Sequence, residues 1–278
     1  MRAEAGFEQV ATSEDDAKLV KAAARQLHVD DVERINAFKR FLAGVTSTDL
    51  AELSEREQRL FAMYFLGFWT HNPVYGTVST DEGLRRLASC PRATGDVAAA
   101  LEVQELVADR TTYSDDSLHP DVPLSVHGLY TTGDVMAAIG RSRPGAPYQH
   151  REGPYHAKDL DADFFFITLD KSSGSFSPVT QYRDYVISRD LFHWETQHTQ
   201  TEDTPTVQRY LNHRQTGNSI YLLVRERTTL ESGVTAPFTF LGAADYVQHT
   251  GSRPVGITWR LRRPLPDRLV AEWSASVG

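Results

Sequence analysis

From Ser13 to Val45 apolar residues recur at steps of three and four, with Val32, Ile35, Phe38, Leu42 and Val45 on one stripe. That period belongs to one face of a helix, and Asp30 and Asp31 stand where a helix N-terminus favours carboxylates, so two helices with a break near Val29 are predicted. Ser54-Glu55-Arg56-Glu57 has the spacing of a capping box, in which hydroxyl and carboxylate satisfy each other's backbone donors. It opens a run from Leu60 to Trp69 that is apolar nearly all round, predicting a buried helix closed by Asn72-Pro73. Thr80 to Ser89 and Gly95 to Asp109 read as two more helices. The aromatic run Tyr64 to Trp69 has core spacing, which makes it the centre of an α-helical bundle.

A polar stretch from Thr111 to Pro123 breaks this periodicity and predicts a boundary, with a helical bundle over 1–118 and a second domain over 122–278. After it the pattern changes. A short helix is predicted from Val135 to Ile139, and FFFITL over 164–169 is a buried strand. Asp184 to Ser188, Leu191 to Gln197, Ile220 to Glu226, Phe238 to Leu241 and Ile257 to Leu261 complete the predicted strands. Thr204-Pro205 is a helix start, and Pro266 to Trp273 a closing helix. The expected fold class is α+β: a helical bundle followed by a curved β-sheet or open barrel.

The stretch Phe176 to Gln197 fits neither a plain core strand nor a solvated loop. It places Phe176, Tyr182, Tyr185, Phe192 and Trp194 among Arg183, Asp184, Arg189, His193, Glu195 and Gln197. Rings beside planar donors and acceptors are what holds a flat, polar-edged ligand such as a nucleobase.

Charge sharpens that reading. The net charge of −8 argues against a non-specific polyanion binder, yet residues 1–118 carry 13 Lys+Arg against 20 Asp+Glu while residues 119–278 carry 16 against 17. The second half is nearly neutral and 14 of its 16 basic residues are Arg, which favours directional contacts to phosphates or base edges. The single cysteine, Cys90, excludes an internal disulfide and a Cys-based zinc site and reads as a buried thiol. With no membrane-length apolar run and no signal-peptide pattern, a cytoplasmic protein without membrane contact is expected.

Catalytic motifs are scarce. The P-loop, G-x-S-x-G and H-E-x-x-H patterns do not occur, which removes support for ATPase and simple hydrolase readings. Asp163, Asp170, His193 and Glu195 are candidates for a metal-dependent nuclease, but Glu195 has no Lys two residues on, and no catalytic residue, cofactor or metal is assigned. The binding reading has better material. Tyr182, Tyr185, Trp194, Tyr210 and Tyr246 are candidates to stack on a base, and Asp184 and Gln197 to meet its polar edge. Arg151, Lys171, Ser177, Arg183, Arg209, Arg214 and Arg253 are candidates for the flanking phosphates. Core packing is the competing role for each single ring.

The segments DADFFFITLDKSSGSFSPVTQYRDYVISRDLFHWETQ, TPTVQRYLNH, YLLVRER and APFTFLGAADYVQHTGSRPVGITWRL closely resemble the C-terminal domain of unknown function that ends many bacterial DEAD/DEAH-type helicases. The resemblance covers about residues 122–275. QLHVDDVERINAFKRFL and RLFAMYFLGFW resemble the segment preceding that domain. It implies a target-recognition module that reads modified cytosine, most of all 5-methylcytosine, in double-stranded DNA, with an SRA/PUA-like fold, in type IV restriction or phage defence. Base flipping is one route to such reading. The sequence carries neither motor nor nuclease, which leaves open a part of a longer protein or a standalone reader with a helicase or nuclease partner. A homodimer through the helical half is a further expectation. The competing functions are a protein-interaction or autoinhibitory module of a helicase, and a metal-dependent nuclease.

Overall fold

The computed structural model describes residues 14–23, 28–44, 49–69, 78–108, 112–151, 153–169 and 184–275. The helical half contains α1 (Glu14–Ala23), α2 (Val32–Ala43), α3 (Glu55–Trp69), α4 (Thr80–Ala88) and α5 (Pro91–Ala108). The predicted capping box forms at Ser54, whose backbone N–H and hydroxyl donate to Glu57 at 3.1 and 2.9 Å while its hydroxyl accepts from the Glu57 N–H. From Leu60 to Trp69 all residues of α3 but Gly67 are buried, as an all-round apolar helix must be. Cys90 is buried and forms no disulfide.

After β1 (Leu129–Tyr130) and α6 (Thr132–Ala138), the chain builds β2 (Gly153–Ala157), β3 (Ala162–Thr168), β4 (Tyr185–Val186) and β5 (Leu191–Glu195). Two short helices follow, α7 (Pro205–Leu211) and α8 (His213–Thr216), then β6 (Ser219–Arg225), β7 (Phe238–Thr250), β8 (Gly256–Leu261) and α9 (Asp267–Ala275). The strands form one mixed, open sheet in the order β2-β3-β6-β7-β8-β5-β4, with β1 paired to β7. The fold is α+β as expected. The strand β7 runs nine residues past the Leu241 end that its apolar run predicts, because its polar second half pairs with β8. Among the described residues no helix is long and apolar enough to cross a membrane.

Alternation along β3 and β6 divides the core in two. Phe164, Phe166, Tyr221 and Leu223 join the helices and α6 on one face, while Phe165, Ile167, Ile220, Leu222 and Val224 join α7, α9, β5 and β8 on the other. The second core requires a strongly curled sheet. β3 and β5 are four positions apart, about 19 Å if the sheet were flat. Yet Phe165 and Trp194 have ring centroids 4.5 Å apart.

The first core takes residues from both sides of the polar stretch at 111–123, and buried charges fasten the two sides together. Asp31 caps α2 and pairs with Arg34. The Arg34 Nη2 donates to the Leu129 carbonyl at 2.8 Å, the Tyr130 hydroxyl donates to Asp31 at 3.1 Å, and the Leu129 N–H donates to Asp30 at 2.8 Å. Burial raises the Asp30 carboxyl to about 6 against the pull of Arg34.

Candidate nucleic-acid interface

The alternation of β5 decides what its side chains can do. Phe192 and Trp194 point into the second core, so Leu191, His193 and Glu195 take the opposite face. Register extends that face across neighbouring strands. Tyr185 lies opposite His193, His193 opposite Thr258, and Thr258 opposite Gln248. One row along, Glu195, Gly256 and Thr250 align; in the other direction, Leu191, Arg260 and Asp245 do.

The rings of Tyr185 and His193 stack, with centroids 4.8 Å apart and planes at 29°. The imidazole leans over Gly256, where a Cβ would come within 2.8 Å of its Cε1, so only glycine leaves the ring this position. Burial lowers the His193 pKa, opposed by Glu195, whose Oε1 lies 3.9 Å from Nε2, and by Asp184. The pair is a half-buried stack with the Glu195 side chain next to it. Asp184 is itself structural, accepting the Glu195 N–H at 3.0 Å and so fixing the β4–β5 pair.

The other candidates separate into groups. Trp194 and Tyr210 are only 6% and 2% exposed and both pack on Phe165. Their rings belong to the second core, and burial first of all raises the Tyr210 pKa. Arg209 spends its Nε and Nη2 on Asp163, at 2.8 and 2.9 Å, and Asn218 donates to the same carboxylate at 2.9 Å. His156 Nδ1 lies 3.3 Å from Asp163 without hydrogen-bonding geometry.

A third group meets where the loop around 196–204 faces the end of β7 and the turn into β8. The Tyr246 hydroxyl is 2.7 Å from His249 Nδ1, His249 Nε2 is 3.4 Å from Glu202, and Arg253 Nε donates to the His198 carbonyl at 2.8 Å. Gln197 and Arg151 are exposed, and a Cβ on Gly153 would stand 3.7 Å from the Gln197 amide. Arg214 reaches Asp245 together with Arg262. Asp170, Lys171, Phe176, Ser177, Tyr182 and Arg183 lie outside the described residues, as does the Asn72-Pro73 end predicted for α3.

Two residues on the open face, Arg260 and Arg262, are missing from the sequence candidates. The signal was present in Trp259-Arg260-Leu261-Arg262, where apolar and basic residues alternate with the period of a half-open strand. Among the described residues, no cluster of three or more His, Cys, Asp or Glu side chains has the arrangement to hold a metal ion.

A curled, open mixed sheet with helices on both faces and a half-buried polar–aromatic strip along β4, β5 and β8 defines an α+β protein. The chain belongs to the family described as a domain of unknown function (DUF3427), whose model matches residues 124–272. That span starts within the segment leading into β1 and ends inside α9, so it contains the whole sheet. No curated protein sequence matches the chain.

Proposed function

We propose that this protein is a DNA-binding module that reads a modified base, without catalysis of its own. The observation that carries the reading is the Tyr185–His193 stack with Glu195 beside it, half-buried on the face of β5 that points away from the second core. A base laid on an exposed ring gains stacking energy, about 1–3 kcal/mol per base. A carboxylate at its edge accepts from an exocyclic amine, and cytosine N4 is the donor that Glu and Asp characteristically meet. Ile187, an exposed apolar side chain at the β4–β5 turn, offers the kind of surface a 5-methyl group contacts. The resemblance to the tails of bacterial helicases supports the same ligand class and a setting in modification-dependent restriction or phage defence.

The test is binding of the full chain to otherwise identical duplexes with cytosine or 5-methylcytosine. The methylated duplex binds more tightly, and Tyr185→Ala and Glu195→Gln each reduce that preference more than they reduce binding to the unmodified duplex. Equal affinity for both duplexes at moderate salt ends the base-reading proposal, because phosphate contacts alone do not distinguish them.

A further inference from the structure

At the end of the open face farther from His193, Asp245 is gripped by two guanidinium groups. Arg214, on α8, donates from Nε at 3.1 Å and pairs through Nη2 at 3.0 Å; Arg262, just past β8, donates from Nε at 3.2 Å and Nη2 at 3.1 Å. Two cations on one anion leave a net positive charge. The two arginine side chains are 61% and 50% exposed, whereas Asp245 is 14% exposed. Each guanidinium carries five N–H donors in a fixed plane, so each keeps donors beyond those that Asp245 takes.

These groups border a depression of about 370 Å³ whose other walls are small: Gly217, Asn218 and Ser219. Gly217 adopts φ +72° as the C-cap of α8, and nothing lies within 4 Å of where its Cβ would be. His213 forms the floor and is fully used, with Nδ1 against the Asn218 carbonyl and Nε2 accepting the Tyr246 N–H. Asp115, the other carboxylate whose charge Arg262 feels, has its oxygens engaged by the Ala243 N–H and by Ser117.

We propose that Arg214 and Arg262, held as a fork by Asp245, form a phosphate-binding site. A planar fork fixed in advance loses little freedom when it meets a tetrahedral oxyanion, and arginine suits phosphate because it donates two parallel bonds. The carboxylate acts as the brace: it aims the guanidiniums and occupies the donors that face the sheet. The Arg260–Asp190 pair beside it, at 2.9 Å, is one cation on one anion and carries no such surplus.

A DNA phosphodiester is one source of the ligand, and that part rests on the function proposed above; a free phosphate or phosphorylated small molecule is the other. Position favours the backbone. Arg262 lies four residues along β8 from Thr258, the partner of His193, about 13 Å at strand spacing. That is about four base steps of a duplex, so one stretch of DNA would cover both the stack and the fork.

Inorganic phosphate titrated into the full chain, followed through the arginine Nε–Hε resonances, tests the site. The expected result is a saturable shift of two of these signals in the wild type. In Arg262→Gln it weakens by on the order of tenfold, and in Arg214→Lys, which keeps the charge but loses the fork, it also weakens. In parallel, the slope of log affinity against log salt for DNA falls by about 1 per Arg→Gln substitution, equally on methylated and unmodified duplexes. Phosphate shifts lost in Arg262→Gln with an unchanged DNA slope support the site and assign it to a free phosphate ligand. Absence of any saturable phosphate shift overturns the site, whatever the DNA result. If wild type binds no DNA at all, the base-reading function fails while the phosphate titration still decides this site.

Discussion

Asp163 and Asp245 are each a carboxylate held by arginine, and the arginines concerned, Arg209 and Arg214, stand five residues apart on successive short helices. Their surroundings make them different devices. Asp163 has no exposed side-chain surface; it accepts hydrogen bonds from one half-sunk arginine and one amide, with the His156 ring 3.3 Å away, and one guanidinium faces its one charge. Asp245 sits at the surface between two exposed arginines, and its charge is outnumbered. Burial pushes the Asp245 carboxyl up, and the two guanidiniums outweigh it, holding it at about 2. The comparison shows that an arginine's chance of meeting a ligand depends on the charge balance and exposure of its carboxylate partner. The arginine alone says little.

Asp163→Ala should have the largest effect. Removing one member of a buried pair leaves an uncompensated group, and losses of about 3–5 kcal/mol are typical. Urea unfolding should show a loss of that size, and one below 1 kcal/mol would erase the distinction between the two centres. Trp194→Ala extends the contrast to the two faces of one strand pair. Emptying a core tryptophan site costs about 3–5 kcal/mol, whereas Tyr185→Ala, on the open face, should cost under about 1 kcal/mol. Similar losses for both would mean that Tyr185 is core too.

Much of this architecture was legible in the sequence. The helical stripe of Ile35, Phe38 and Leu42, the Ser54 capping box and the FFFITL strand all follow local rules, and local rules decide them. What sequence could not decide was the direction of individual side chains. Trp194 and His193 are adjacent, and a one-residue change of register exchanges their faces. The register of β5 is set by β8, more than sixty residues away. Arg209 and Arg214 share a similar local context, and only the fold places Asp163 against one and Asp245 with Arg262 against the other. Alternation at 259–262 was readable in principle, but it indicates an open face only once β8 is known to have one. Strand β2, over GPYHA, lacks both an apolar run and alternation, and it forms because β3 offers an unpaired edge.

A third contrast sets these paired groups against an unpaired one. His127 is buried, and neither of its ring nitrogens has a hydrogen-bond partner among the described residues. Burial lowers its pKa to about 4, with Arg263 adding to the effect. A depressed folded pKa means that the unfolded chain takes up a proton first. The contribution is therefore complete above about pH 6.5 and is lost as pH falls toward 4. The Asp30 shift has the opposite sign, but it is common to wild type and a His127 variant and cancels between them. The backbone at His127 has φ +69°, which asparagine tolerates well. Relative to wild type, His127→Asn should gain about 2 kcal/mol in stability between pH 7 and pH 5, measured by denaturant unfolding at each pH. A stability difference independent of pH would show that the imidazole finds a proton acceptor in the folded protein.

The smallest effect tests the same distinction through salt. Exposed ion pairs are worth about 0–1 kcal/mol, so Asp245→Ala should cost no more than that. At 1 M salt the screening length is about 3 Å, close to the separation of the paired atoms, and exposed charges interact little beyond it. The penalty of Asp245→Ala should therefore shrink toward zero between 0.05 and 1 M sodium chloride, roughly the range over which surface pairs are screened. The penalty of Asp163→Ala should stay nearly constant, because mobile ions do not enter the space around a fully buried carboxylate. Each variant is referred to wild type at the same salt, which removes general salt effects on folding. If the Asp245→Ala penalty persists at high salt, Asp245 behaves as a buried charge like Asp163, and the distinction between the two centres fails.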